Sequence, residues 1–426
     1  MLQSLGLLFA SNMISSFATG ITMVAIPWYL LSSPNISNGH FKNTAMFLII
    51  NLLTLFWGNI CGALVDRYNK KSVFQWLNAA NALLILSCAT LGRFYDTSYW
   101  LLCVVAAISI FNYNLHYPNL YAFVQEIVPR KHYQKVNSVI EIQVQLSKAF
   151  GMVLGALFIS GKIDFSIIHI SIETWPMWKI IALDGGTYGI ALALISLMPY
   201  KPQKDVKVDK SPILNRIIFG FNYLMSRKKL LAFGLGSYVL FFVLIVFFQV
   251  QLPAYVKSNL GLNQEKGGAI IAAFQAIYSL GAITMGIYGL LDKNEKGDTR
   301  KKIGFLLIVA SLVFFGWASS AQVSFLLIGA YVIGILNAAI RIFRITYLIR
   351  KVPGAVIGRV NSFYSVANVV MRITLIGILL TPFFSAEENI SNLNIGLYLT
   401  FGLLLIASFV TFSNRPESAI TNQAGS

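Results

Sequence analysis

Long apolar runs, broken by short charged punctuation, set the pattern of this chain. LGLLFASNMISSFATGITMVAIPWYLL, residues 5–31, contains no charged residue, and neither does FGLGSYVLFFVLIVFFQVQLPAYV at 233–256. About 20 apolar residues wound as a helix cross a bilayer core, because a helix satisfies its own backbone hydrogen bonds. Twelve such segments can be counted, near 4–31, 44–65, 73–92, 99–125, 136–160, 178–198, 230–255, 267–291, 303–320, 323–349, 357–381 and 391–413. The pattern predicts an all-α membrane protein with 12 transmembrane helices. The ninth and tenth segments run almost together. The first is too long for a signal peptide and lacks a basic leading region, so it is expected as a retained helix.

The pattern also repeats. VPRKHYQKVNS begins at Val128 and VPGAVIGRVNS begins at Val352, 224 residues on. VAIPWYLLSS (24–33) matches VQLPAYVKSN (250–259) at an offset of 226 through Val24/Val250, Pro27/Pro253, Tyr29/Tyr255 and Ser32/Ser258. Asp66-Arg67 with Lys70 matches Asp292-Lys293 with Lys296 at the same offset of 226. Three matches in one order and near one offset are the mark of an internal duplication. Residues 1–200 and 230–415 then form two pseudo-symmetric six-helix halves, followed by a short tail at 416–426. Residues 201–229 join the halves as a charged, Pro-punctuated linker that ends in an amphipathic helix over Ile213–Met225. Within each repeat, Asn137 and Asn361 are expected near the cap of the following helix.

Composition agrees with a membrane protein: 56% of the 426 residues are hydrophobic and 12% are charged, against about 25% charged in soluble domains. The net charge of +17 is topological. With the N-terminus inside, 23 of the 33 Lys and Arg fall in inner loops and 6 in outer loops, which is the positive-inside bias. Both termini are therefore expected in the cytoplasm, in a multi-pass protein of the inner (plasma) membrane, with no nucleic-acid partner. Cys61, Cys88 and Cys103 all lie in apolar segments, so neither a disulfide framework nor a metal site is expected.

GALVDRYNKK (62–71), between the second and third segments, resembles the loop signature of the major facilitator superfamily, Gly-x-x-x-Asp-Arg-x-x-x-Lys/Arg. Gly62, Asp66, Arg67 and Lys71 fall on the signature, and Lys70 adds a charge. IPWYLL (26–31), LDGGTYGIALAL (183–194) and the VPRKHYQKVNS loop resemble the macrolide-efflux and siderophore-exporter branch. The fifth segment departs from the superfamily's drug antiporters. It reads Gly151-Met152-Val153-Leu154-Gly155 where they carry Gly-Pro-x-x-Gly. The resemblance implies alternating access, with a substrate site between the halves near the midplane. It also implies that Asp66 and Arg67 latch the inner gate against the eleventh helix. Lys70 and Lys71 are expected on lipid phosphate, on the opposite half, or as plain topogenic charge.

Ionisable groups inside spanning helices are costly and mark function by default. Glu141, Gln145 and Lys148 share a face of the fifth helix, and Lys148 lies eleven residues after Asn137. Arg372, in the eleventh helix, lies eleven residues after Asn361, so the halves place one cation each at one depth. Asn361, Ser365, Asn368 and Arg372 share a face. Asn112, His116 and Asn119 in the fourth helix recur as Asn337, Arg341 and Arg344 in the tenth, 225 residues on. The resulting cavity holds more positive than negative charge. Lys148, Arg372, Arg341 and Arg344, with Asn112, Asn337 and Asn368, are candidates for binding a carboxylate or phosphate. Internal ion pairs, such as Glu141 with Lys148, are the competing use of the same residues. Glu141, His116 and Asp184 are the candidates for proton coupling.

These features point to a secondary transporter that works without a cofactor. Its expected partners are a small organic molecule, anionic or amphiphilic, together with protons and membrane lipids; the protein is expected as a monomer. Proton-coupled export of a siderophore-like carboxylate or a drug leads. Proton-driven import of an anionic ligand uses the same residues, and macrolide or multidrug export fits the branch resemblance. An enzyme is disfavoured, since the chain has no His-Glu-x-x-His, no Gly-x-Ser-x-Gly and no P-loop.

Overall fold

The computed structural model describes residues 2–33, 36–129, 133–165, 168–200, 213–262, 264–291, 298–385 and 390–413. Within these, twelve helices are long and apolar enough to cross a membrane. The first six spans are α1 (Leu2–Ser32), α2 (Gly39–Arg67), α3 (Lys70–Phe94), α4 (Tyr99–Ile127), α5 (Tyr133–Ser160) and α6 (Met177–Ser196). Helix α7 (Ile213–Met225) follows at the bounds read from the sequence, and packs on the eleventh span. The seventh span is composite: α8 (Lys228–Val246), a π-helical turn (Phe247–Gln251) and α9 (Leu252–Ser258). The rest are α10 (Gln264–Leu291), α11 (Thr299–Ser319), α12 (Val323–Lys351), α13 (Gly354–Leu379), the short α14 (Pro382–Ser385) and α15 (Ile390–Ser413). A β-hairpin, β1 (Lys162–Phe165) with β2 (Ile168–Ser171), sits between α5 and α6. The apolar pattern did not mark it, because eight residues in a loop carry no period of their own.

Local caps explain several boundaries. Asn69 accepts hydrogen bonds from the backbone N–H groups of Lys71 and Ser72, Ser98 from Leu101, and Asp298 from Arg300. These side chains satisfy donors that the first helical turn leaves open. The Arg300 guanidinium also reaches Asp298 at 2.9 Å and holds that carboxyl below its ordinary range. Asn137 and Asn361 are not caps. α5 starts at Tyr133 and α13 at Gly354, directly after Pro353. Pro353 sets the entry with φ −56° and ψ 143°, and nothing after it interrupts the helix.

The halves meet along α5 with α10 and along α2 with α13. One large apolar cluster, running from Ile21 and Trp28 to Phe247 and Trp317, joins both halves. It reaches the face on which α1 ends, called here the far face. On the near face, where α1 begins, the clusters stay separate. Leu8, Phe123 and Ile140 belong to one half, and Leu224, Leu348 and Tyr364 to the other.

Three contacts hold the far face shut. The Trp28 indole lies on Gly267 and Gly268 of α10, where a Cβ on Gly267 would stand 2.3 Å from the ring. Lys257 Nζ donates to the Leu31 carbonyl at 2.6 Å. These residues are 226 positions apart, the offset of the duplication, so equivalent positions touch, as they must beside a two-fold pseudo-axis. Lys257 also places a cation on the last carbonyls of α1, where the helix dipole favours it. The third contact begins with Pro253. Proline has no N–H to return to the carbonyl four residues earlier, and the helix widens into the π turn, with Leu252 N–H bonding Phe247 O. The Gln249 carbonyl instead accepts the side-chain amide of Asn43, from the other half, at 2.7 Å.

Asn43→Ala should therefore cost about 1–3 kcal/mol by leaving that carbonyl unsatisfied. In a Pro253→Ala background, where the helix supplies its own donor, the loss should shrink. Thermal unfolding of the four proteins of this double-mutant cycle checks it, and equal losses in both backgrounds would refute the link.

Candidate functional site

The loop between α2 and α3 is built as a brace within the first half. Lys71 Nζ donates to the carbonyls of Ser196 (3.0 Å) and Met198 (2.8 Å) at the C-terminus of α6, where a cation complements the helix dipole. Lys70 Nζ bonds the Val65 carbonyl and stands 3.9 Å from the Glu126 carboxylate at the end of α4. Tyr200 donates its hydroxyl to the same Glu126; burial and that carboxylate push the phenol above its ordinary range. Asn119 donates to the Lys70 carbonyl at 2.9 Å. Arg67 is exposed. The side chain of Asp66 and the environment of Gly62 lie outside the described residues, as do Arg130, Lys131, Asp292 and Lys293. Thus Lys70 and Lys71 both act inside their own half, on helix ends next to them.

The intramembrane candidates separate into two groups. The first is a polar network within the N-terminal half. Asn81 of α3 donates to the Asn112 side chain at 2.7 Å, and Asn112 donates to the Tyr188 hydroxyl of α6 at 3.2 Å. Asp184, one turn before Tyr188, is fully buried. Among the described residues neither of its carboxyl oxygens has a hydrogen-bond partner. His116 Nε2 pairs with Asn12 Oδ1 of α1 at 3.1 Å, and its ring packs edge-on against Phe74.

The second group draws on residues of both halves. Lys148 of α5 stands over two tyrosine rings of α4, 4.8 Å from the Tyr113 centroid and 5.3 Å from that of Tyr117. A cation over an aromatic face is attracted by the ring quadrupole. Arg372 of α13, from the other half, lies within electrostatic reach of Tyr113. Its Nε is buried and without an acceptor among the described residues. Lys148 and Arg372 are thus brought toward one aromatic side chain, and among the described residues neither meets a carboxylate. Lys148 is also within electrostatic reach of His116, which connects the two groups. The side chain of Glu141 lies outside the described residues.

The remaining candidates are placed elsewhere. Arg344 is buried. One of its terminal nitrogens donates to the Ser237 carbonyl at 2.9 Å, and its guanidinium lies 3.7 Å from the Tyr238 ring centre. This packing serves the C-terminal half. Asn337 donates to the Tyr278 hydroxyl at 2.7 Å. Arg341 is half-buried on the same helix. Asn368, one turn before Arg372, is buried, and its amide nitrogen has no partner among the described residues. Reasoning from ionisable residues passed over Tyr113, Tyr117, Asn12 and Asn81. The four-residue step from Tyr113 to Tyr117 and on to Tyr121 was the available signal. Asn12 and Asn81 are uncharged amides in apolar segments and gave a weaker one.

Among the described residues there is no group of three His, Cys, Asp or Glu that could hold a metal ion.

Solved transporters share the architecture. The nucleoside transporter NupG, in a single-residue variant, superposes with a TM-score of 0.69 at 14% identity, covering 96% of this chain and 100% of that one. A D-xylose-proton symporter gives a TM-score of 0.67 at 13% identity, covering 98% of each chain. An auto-inhibited POT family peptide transporter gives 0.68 at 11% identity, covering 99% of each. At these identities the likeness concerns the fold alone. In sequence, the uncharacterized MFS-type transporter YkuC of Bacillus subtilis (strain 168) is 22% identical over 97% of this chain and 93% of its own length. YfiS of the same organism, also an uncharacterized MFS-type transporter, is 23% identical over 62% of this chain, a stretch that spans 59% of YfiS. Residues 8–375 match the sequence profile of the Major Facilitator Superfamily, and with the twelve-span, two-half fold this establishes that the chain belongs to that superfamily.

Proposed function

We propose that this protein exports a small organic anion by alternating access, with Lys148 and Arg372 as the two sides of its binding site. The observation that carries the reading is that Lys148 stands over the Tyr113 ring, that Arg372 of the other half lies within electrostatic reach of the same ring, and that among the described residues neither cation meets a carboxylate. A cation without an ion-pair partner inside a membrane is expensive, and an anionic cargo offsets that cost once per cycle. The closed far face and the separate near-face clusters fit one of the two end states. With the positive-inside rule placing both termini in the cytoplasm of the inner membrane, that state is open to the cytoplasm. Export, rather than import, rests on the resemblance of IPWYLL and LDGGTYGIALAL to the exporter branch. The protein works as a monomer, with anionic lipid against its basic inner loops.

A proton gradient drives the cycle in this reading. Asp184 is the enclosed acid among the described residues, and a charge there would carry the desolvation cost of an unsatisfied buried group. It can exchange a proton with water only when the packing around α6 opens. One turn on along α6, the Tyr188 hydroxyl accepts from the Asn112 amide. Glu141, on the helix of Lys148, is the second candidate.

Counterflow in proteoliposomes with organic carboxylates tests the site. Lys148→Gln and Arg372→Gln should each weaken carboxylate binding about 10-fold or more, the loss of one charge-assisted hydrogen bond of about 1.5–3 kcal/mol. Unchanged affinity in both variants would assign the two cations to structure.

Asp184→Asn cannot take up a proton. It should retain counterflow, which needs no net driving force, and lose the dependence of net transport on an imposed pH gradient. If that dependence persists in Asp184→Asn and vanishes in Glu141→Gln, coupling belongs to Glu141.

A further inference from the structure

We infer that the anion this site takes is borne on a planar aromatic ring, an aromatic carboxylate rather than an aliphatic one. The inference rests on the anion reading of Lys148 and Arg372 and adds what lies beside them. Tyr113, Tyr117 and Tyr121 follow one another at four-residue steps along one face of α4. Their rings form a continuous aromatic strip, with centroids 4.6 Å apart for the first pair and 6.5 Å for the second. Tyr113 is the accessible end, 42% exposed, although it lies midway along a membrane-spanning helix. An exposed ring at that point of the helix, beside the Lys148 ammonium, is placed to touch a ligand of that cation.

The chemistry of the strip selects the partner. Lys148 stands over the first two rings and so brings its charge to the aromatic surface instead of to an acid. Arg372 of the opposite half lies within electrostatic reach of Tyr113, and its buried Nε lacks an acceptor among the described residues. A carboxylate between the two cations would have its attached group fall against the Tyr113 ring. A flat ring can stack there, or meet it edge to face, without displacing Lys148. Such ring pairs add a stabilisation beyond area burial, and a guanidinium plane also stacks on an aromatic ligand. A puckered aliphatic group of equal size gains the burial but not the ring pairing. Pro118 lies within the strip and removes one internal hydrogen bond of α4, which loosens the helix where the ligand would insert.

The test uses a matched pair of probes on the purified full chain in nanodiscs: 2-naphthoate and its saturated counterpart, decahydronaphthalene-2-carboxylate. Both carry one carboxylate on a fused two-ring frame, and only the first is flat and aromatic. Binding is read by isothermal titration. The protein should prefer 2-naphthoate by about 2- to 10-fold, the size of one aromatic pair. Tyr113→Leu should abolish the preference by weakening naphthoate alone, and Tyr113→Phe, which keeps the ring, should retain it. Lys148→Gln should weaken both probes together. Equal or tighter binding of the saturated probe, with both still sensitive to Lys148→Gln, overturns the aromatic inference and leaves the anion site standing. A preference lost in Tyr113→Phe also overturns it, since the hydroxyl rather than the ring would then carry the effect. Binding of both probes that ignores Lys148→Gln and Arg372→Gln overturns the anion reading and this inference with it.

Discussion

Every backbone carbonyl that this chain carries into hydrocarbon must find a donor inside the protein, because the bilayer core offers none. Twelve helices satisfy that demand almost everywhere by themselves. The informative places are those where the helix withdraws its own donor. Pro253 takes away the N–H that Gln249 would have used, and the seventh span widens into a π turn. The vacancy is filled by Asn43 of the other half. A local defect in one half thus becomes a bond between halves, on the face that is closed. Lys257 does the reverse by donating to the end of α1. Each half supplies a donor for the other, and opening this face would have to replace both bonds.

Charge obeys the same constraint. Basic side chains near the membrane surface settle on the carbonyl ends of helices, as Lys71 does on α6 and Lys257 on α1. Deeper cations have two solutions here. Arg344 is packed within one half against a carbonyl and a tyrosine face, its Nε buried and without a partner among the described residues. Lys148 is held over the Tyr113 and Tyr117 rings of the neighbouring helix. The two cations differ in their neighbours: Lys148 has two tyrosine rings of an adjacent helix, and Arg344 a backbone carbonyl and one ring.

Much of this was written in the order of residues. Twelve apolar segments and an amphipathic linker helix follow from composition and period, since a bilayer leaves a chain few alternatives. The duplication at an offset of about 225 located matched pairs before any coordinates, and its offset of 226 recurs in the contact between Leu31 and Lys257. Helix starts were less legible. Asn137 and Asn361 resemble caps but lie inside α5 and α13, because Pro353 had already set the helix entry several residues earlier. The hairpin of β1 and β2 left no signal, for it is held by pairing between two short strands rather than by a periodic apolar face.

The sequence by itself determined the spans and the repeat register that relates the two halves, because both follow from hydrophobicity and repeat spacing along one dimension. Only the tertiary structure decided which charges share an environment. Tyr113 has no charge, yet Lys148 of the next helix stands over its ring. Asn43 and Gln249 are 206 positions apart and match no repeat, yet they bond. The physical reason is that hydrogen bonds and cation–aromatic contacts act over a few ångströms in three dimensions. Which residues come within that range depends on how two six-helix halves lean on each other, a relation that no local pattern encodes.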